Sequence, residues 1–255
     1  MKILFANPNT TIAVTDRIAA VARAAASRGT EIVAVTAKSG VPYIATRAEA
    51  VIGATQALEL LAEHADGCDA AVVAAFADPG VGGARELLSI PVIGMAEAAM
   101  LTACMLGRRF SIVTFATAMG PWYRECVDYN GLTGRLASIR CVTGGFRDIN
   151  SVQEEMGDAL VEACRLAVEQ DEADVVILGG APLAGLAAKI ADRVPVPLVD
   201  GVAAAVRQAE VLASLRPRKA TAGTFRRPDP KAITGVSRAL TGLFLSGEAG
   251  ITPAG

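Results

Sequence analysis

Asp69-Ala-Ala-Val-Val-Ala-Ala75 and Asp174-Val-Val-Ile-Leu-Gly-Gly180 share one pattern, an acidic residue followed by an unbroken apolar run that ends in small residues. Runs this short, without polar alternation, read as strands buried on both faces, and such strands belong to parallel sheets covered by helices. The match extends outward. Ser89-Ile-Pro-Val-Ile-Gly94 corresponds, with one residue of slippage, to Val194-Pro-Val-Pro-Leu-Val-Asp200, and opening strands at 2–6 and 110–115 sit at a similar offset. Any two βα units look somewhat alike, but common spacing across three elements favours an internal repeat. Further strands are expected at 31–36, 69–75, 91–94, 138–143, 174–179 and 195–199. Helices are expected at about 10–28, 46–65, 79–88, 96–106, 120–128, 151–169, 183–192, 201–214 and 230–245. The fold class expected is α/β, two pseudo-symmetric open parallel-sheet domains facing each other across a cleft. Ligands of such sheets bind beyond the carboxyl ends of the strands, which puts Ala75 and Gly180 on opposite sides of that cleft.

Composition narrows the function. The chain has 255 residues, a net charge of -2 and 52% hydrophobic residues, which suits an enzyme-sized globular protein without a basic face for nucleic acid. No apolar run reaches the length of a membrane span, and MKILFANPNTT reads as a strand and turn rather than a signal peptide, so a cytoplasmic location is expected. Five scattered cysteines (Cys68, Cys104, Cys126, Cys141, Cys164) and the single His64 form no CxxC and no zinc spacing. Cys104 and Cys164 fall in helical apolar stretches as small hydrophobes, and His64 ends a helix beside Glu63. No metal or organic cofactor is implied. The segment after Ala213 concentrates Arg216, Arg218, Lys219, Arg226, Arg227 and Lys231 among prolines, and reads as a solvated return to the last helix rather than a phosphate patch.

Chemistry is expected at the strand ends. In Phe76-Ala-Asp78-Pro79-Gly80, Asp78 suits an N-cap and Pro79 a first helical residue, and Gly180-Ala181-Pro182 repeats the device. Free backbone N–H groups and a helix dipole would then face the cleft at both places, a receptor for carboxylate or imide oxygens. Asn7-Pro8-Asn9-Thr10-Thr11 closes the first strand, and Asn9 or Thr10 either caps the first helix or holds a ligand carboxylate. Thr114, Ala116 and Thr117 occupy the equivalent edge of the second half, followed by Trp122 and Tyr123. Trp122 suits a cleft wall or a packing anchor, and Glu97 is either a first-turn carboxylate or a group aimed at the cleft.

The stretches NPNTT, FADPG, PVIGMAEAAM, RLASIR and VVILGGA with PVPLVDGVAAAV, in this order, resemble the hydantoin racemase branch of the aspartate/glutamate racemase superfamily. The resemblance runs to about residue 230. It implies a first domain of residues 1–95 completed by 210–255, a second of 96–209, and cofactor-independent proton transfer beside a carbonyl or carboxylate. In that family two cysteines, one at each repeated strand end, take and return the proton from opposite faces, because facing thiols of lowered pKa invert the centre. Those positions here are Ala75 and Gly180, and neither can move a proton. Arylmalonate decarboxylase, of the same superfamily, keeps one such cysteine opposite a glycine. The receptor positions remain: Asn9, Thr10, Ala75, Phe76, Thr114, Ala116, Gly180 and Ala181, with Tyr43 and Ile44 in a loop similar to the family's second.

Three readings follow: a non-racemising isomerase, lyase or hydrolase whose acid or base is drawn from Asp78, Tyr123 and Glu97; a binding protein or pseudoenzyme that keeps the receptor; and a racemase whose cysteines were replaced. The expected ligand is a small carboxylate or imide, and the Ala-rich surface together with the resemblance implies a homo-oligomer. Restoring cysteine at 75 and 180 is expected to create α-proton exchange if the receptor is intact.

Overall fold

The computed structural model describes residues 1–145 and 147–246. Residues 247–255, placed in the first domain by the expectation above, lie outside the described residues. Two four-stranded parallel sheets carry the fold. The first has the order β2-β1-β3-β4, from β1 (Lys2–Asn7), β2 (Glu31–Thr36), β3 (Ala70–Val73) and β4 (Val92–Gly94). The second has the order β6-β5-β7-β8, from β5 (Phe110–Thr114), β6 (Leu136–Cys141), β7 (Val175–Leu178) and β8 (Leu198–Asp200). The fold is the expected α/β one. Both central pairs are buried throughout or nearly so, which is why Ala-Ala-Val-Val and Val-Val-Ile-Leu carry no polar alternation.

Helices α1 (Ile12–Ala25), α2 (Arg47–His64) and α3 (Val81–Leu87) belong to the first sheet's crossovers. Helices α5 (Met119–Tyr129), α6 (Val152–Glu169) and α7 (Leu186–Ile190) follow the same plan in the second. The helices that leave the edge strands do something else. Helix α4 (Met95–Leu106) follows β4 but packs on β5, β7 and β8, whereas α8 (Gly201–Leu215) follows β8 and packs on β3, β4 and α1. The two lie against each other, so each sheet is covered by a helix that starts from the other. The expected seam at 209/210 runs through the middle of α8.

Several expected boundaries move for local reasons. The helix expected from 79 starts at Val81, because Ala77, Asp78 and Gly80 adopt left-handed backbone with φ of 77°, 57° and 86°. The segment 183–192 breaks into short 3₁₀ turns around α7, which starts after Gly185 at φ 82°, the partner of Gly80 in the repeat. The last helix, expected from 230, is α9 (Arg238–Leu245); it docks on α2, and Glu59 there accepts from the backbone N–H of Ser237 at 3.0 Å. Basic residues of the return segment are tied to the first half: Lys219 donates to the carbonyl of Arg85, and Arg227 to Ser89 Oγ at 3.0 Å.

Gly80 cannot be replaced cheaply. A β carbon there would lie 2.9 Å from the backbone oxygen of Ala54, in a conformation that L side chains avoid. Gly80→Ala is expected to cost about 2 kcal/mol or more, read as a lower midpoint in urea with unchanged slope.

Candidate functional site

The carboxyl ends of the central strands meet at a small cavity. Asn9, Tyr43, Ala75, Phe76, Phe115, Tyr123, Gly180 and Ala181 line it, so chain from both sheets converges where the repeat predicts. Its volume is about 30 Å³, room for one or two waters rather than for a ring-sized substrate. Aromatic side chains fill the rest. Phe76 and Tyr123 pack with their rings tilted by 54° and centroids 4.8 Å apart, and a β carbon at Gly180 would come within 2.8 Å of the buried Phe115 ring.

The polar groups left at this cavity are few. None of the hydrogen bonds among the described residues uses the backbone N–H of Phe76, Gly180 or Ala181. Buried amides are ordinarily paired, and these three belong to residues that line one cavity. Asn9 is buried, and its Oδ1 accepts from Asn7 Nδ2 at 3.1 Å and from the backbone N–H of Thr11 at 3.0 Å. The expected capping role thus falls to Asn9 in part, although the N-cap residue itself is Thr11. Thr10 uses its backbone N–H on Val41 O and does not line the cavity. Thr114 is fully buried, with Oγ1 3.5 Å from Met119 Sδ, and Ala116 packs on the core; neither lines the cavity.

Tyr123 is the one of the three acid–base candidates that reaches the cavity. Its hydroxyl lies 3.6 Å from the point a β carbon on Gly180 would occupy, within the space a thiol at 180 would sweep. Burial raises its pKa above the usual phenol value, so the hydroxyl stays protonated. It also donates to Met119 Sδ at 3.4 Å, a weak acceptor, and has the Thr114 side chain as a hydrogen-bonding neighbour.

Asp78 and Glu97 lie elsewhere. Asp78 does not cap its own helix, as the sequence suggested; its carboxylate reaches across to the start of α4 and accepts from the backbone N–H groups of Ala96 at 2.8 Å and Glu97 at 2.7 Å. The cause is Gly94, the side-chain-less N-cap of α4, where a β carbon would sit 2.3 Å from Asp78 Oδ2. The matching cap of α8 is Asp200, whose own carboxylate accepts from Val202 and Ala203 at 2.9 and 3.1 Å. The aspartate has therefore changed place between the two halves, and the mismatch of Gly94 with Asp200 was the sequence signal for it. Burial pushes the Asp78 carboxyl up to about 7, against the pull of the two amides and of Arg85. Glu97 is held in an ion pair by Arg85. The dipole of α3 also begins away from the cleft, since Val81 lines the cavity beside Asp78 and Glu97 and not the one between Ala75 and Gly180.

The other residues weighed from sequence have structural surroundings. Trp122 packs against Tyr123, His64 stays part-exposed beside Glu63, and all five cysteines are free thiols. Among the described residues no group of three or more His, Cys, Asp and Glu could hold a metal ion.

Two four-stranded parallel sheets of the same strand plan, with the carboxyl ends of their central strands at one cavity, define a two-lobed α/β protein whose candidate site lies between two strand ends. The sequence pattern described as Asp/Glu/Hydantoin racemase matches residues 3–209, and the chain belongs to that family. It is 34% identical over 236 residues to a hydantoin racemase of Pseudomonas sp. (strain NS671), covering 92% of this chain and 95% of that one. Among solved structures it is similar to the allantoin racemase from Klebsiella pneumoniae, with 35% identity, a TM-score of 0.89 and coverage of 94% and 98% of the two chains. The allantoin racemase of Pseudomonas fluorescens is similar at 36% identity and a TM-score of 0.85, over 92% of this chain and all 100% of that one. Arylmalonate decarboxylase shares the fold at 16% identity, with a TM-score of 0.59 over 84% of this chain and 92% of that one.

Proposed function

We propose that this racemase-family chain acts on a small carboxylate or imide from one face only, as a lyase rather than a racemase. The observation that carries this is the Tyr123 hydroxyl, 3.6 Å from the β-carbon point of Gly180, whereas the matching strand end at Ala75 offers a methyl. Racemisation needs a base to take the α-proton and an acid on the opposite face to return one. A buried phenol whose pKa is raised enters as an acid and is a poor base. Decarboxylation needs only the acid. The carboxylate leaves as carbon dioxide, its bonding electrons pass to the adjacent carbon, and the enolate oxygen rests on the amides of Phe76, Gly180 and Ala181. Tyr123 then supplies the proton to that carbon, and solvent restores the phenol.

Substituted malonates test this. Carbon dioxide release giving one enantiomer of the product is expected, with Tyr123→Phe lowering kcat by about 10²-fold or more, the ordinary worth of a placed acid. A folded Tyr123→Phe with unchanged kcat sinks the assignment. A second reading, a binder that has lost turnover, is favoured by Ala75 and Gly180, neither of which can move a proton. Saturable binding of malonates and hydantoins without any product would favour that one. Leu101 and Met105 on α4 and Leu215 on α8 are exposed apolar side chains, and they support a symmetric homo-oligomer in either reading.

A further inference from the structure

A larger cavity, of about 350 Å³, lies between the turn that holds Asp78 and helix α5. Its volume is that of a small-molecule site, unlike the cleft itself. Acidic side chains outnumber basic ones along it. Asp78, Glu97 and Glu125 line it against the single guanidinium of Arg85. That guanidinium is already engaged, with Nε on Val92 O at 2.9 Å and Nη1 on Glu97 at 3.1 Å. Glu125 at the mouth is paired from outside by Arg47, which does not line the cavity. Two aromatic rings complete the walls: Trp122, buried, and Tyr129, 77% exposed at the rim. A carboxylate keeps several lone pairs after one ion pair, and an aromatic face attracts a cation.

We propose that this cavity is a second ligand site, separate from the cleft, that takes a small organic cation with a guanidinium or alkylammonium head and a short apolar stem. The head sits among Glu97, Glu125 and the Trp122 ring, and the stem follows the apolar part of the wall. An anion is disfavoured there because three carboxyl groups line the cavity against one guanidinium.

Trp122 is the only tryptophan of the chain, so its emission reports the site directly. The full chain is titrated with n-butylguanidinium, with its uncharged near-isostere n-butylurea, and with butyrate. A saturable change with the cation is expected, at an affinity about tenfold or more above n-butylurea, a difference worth about 1.4 kcal/mol. Butyrate is expected to give none. Glu97→Gln and Glu125→Gln are each expected to weaken the cation about threefold or more; Glu125 is at the rim, so its variant serves if Glu97→Gln does not fold. The proposal is overturned by equal affinity for n-butylurea, by saturable butyrate binding, by wild-type affinity in the folded variants, or by no response to the cation in fluorescence and calorimetry. The readout is binding at Trp122, so it stands or falls independently of turnover in the cleft.

Discussion

Hydantoins and free amino acids incubated with this chain in deuterated water are expected to keep their α-protons, with exchange at background measured by proton NMR. The reason is the pair of side chains at the strand ends: Ala75 and Gly180 hold neither base nor acid, and Tyr123 cannot act as both. Rapid protein-dependent exchange would contradict this. Putting thiols back is a stronger test than the sequence alone suggested, and it needs a third change. A β carbon at Gly180 meets the Phe115 ring at 2.8 Å and requires L-residue backbone at φ 126°, whereas position 75 already carries its β carbon. The expected result is that Ala75→Cys with Gly180→Cys gains little, and that adding Phe115→Leu raises exchange about 10²-fold above the wild-type chain. A folded triple variant without exchange would count against the cleft as the reacting centre.

Asp78→Ala is expected to be a strongly damaging single change. It strips two acceptors from the start of α4, leaving the N–H groups of Ala96 and Glu97 unsatisfied, and leaves alanine at φ 57° beside Ala77 at φ 77°. Loss of a cap, a buried donor and tolerance of left-handed backbone together cost about 3 kcal/mol, or roughly 6–12 °C in Tm for a chain of this size. Asp78→Asn should cost less, since asparagine tolerates that backbone and keeps one acceptor. The pair also exposes a pH dependence. Because burial raises the folded carboxyl from 3.8 to about 7, the folded state holds this proton more tightly than the unfolded one. Stability from this group therefore falls as pH rises from about 4 to about 7, then levels off. Tm measured from about pH 5 to about pH 8 is expected to fall more in the wild type than in Asp78→Asn; parallel curves would remove Asp78 as the cause.

How much of this was legible in the sequence depends on the range of the interaction. Continuous apolar runs bounded by turn residues mark strands locally, so Ala70–Val73 and Val175–Leu178 were readable, and with them the facing positions Ala75 and Gly180. Helix starts were less so: the left-handed turn at Ala77 and Asp78 is fixed by bonds to Ala96 and Glu97, which no local spacing shows. Assigning Asp78 to its own helix was the natural local choice, and a tertiary bond overrides it. The packing of Phe115 against Gly180 and the cavity between α5 and the Asp78 turn come from side chains brought together by both sheets. Neither leaves a periodic trace.

The reciprocal placement of α4 and α8 bears on how the molecule comes apart. Peeling the first sheet away removes α8, which begins at the end of the second, and losing the second strips α4 from the chain that leaves the first. The halves are interlocked rather than hinged side by side, so denaturation should be one cooperative event, with near- and far-ultraviolet dichroism transitions that coincide.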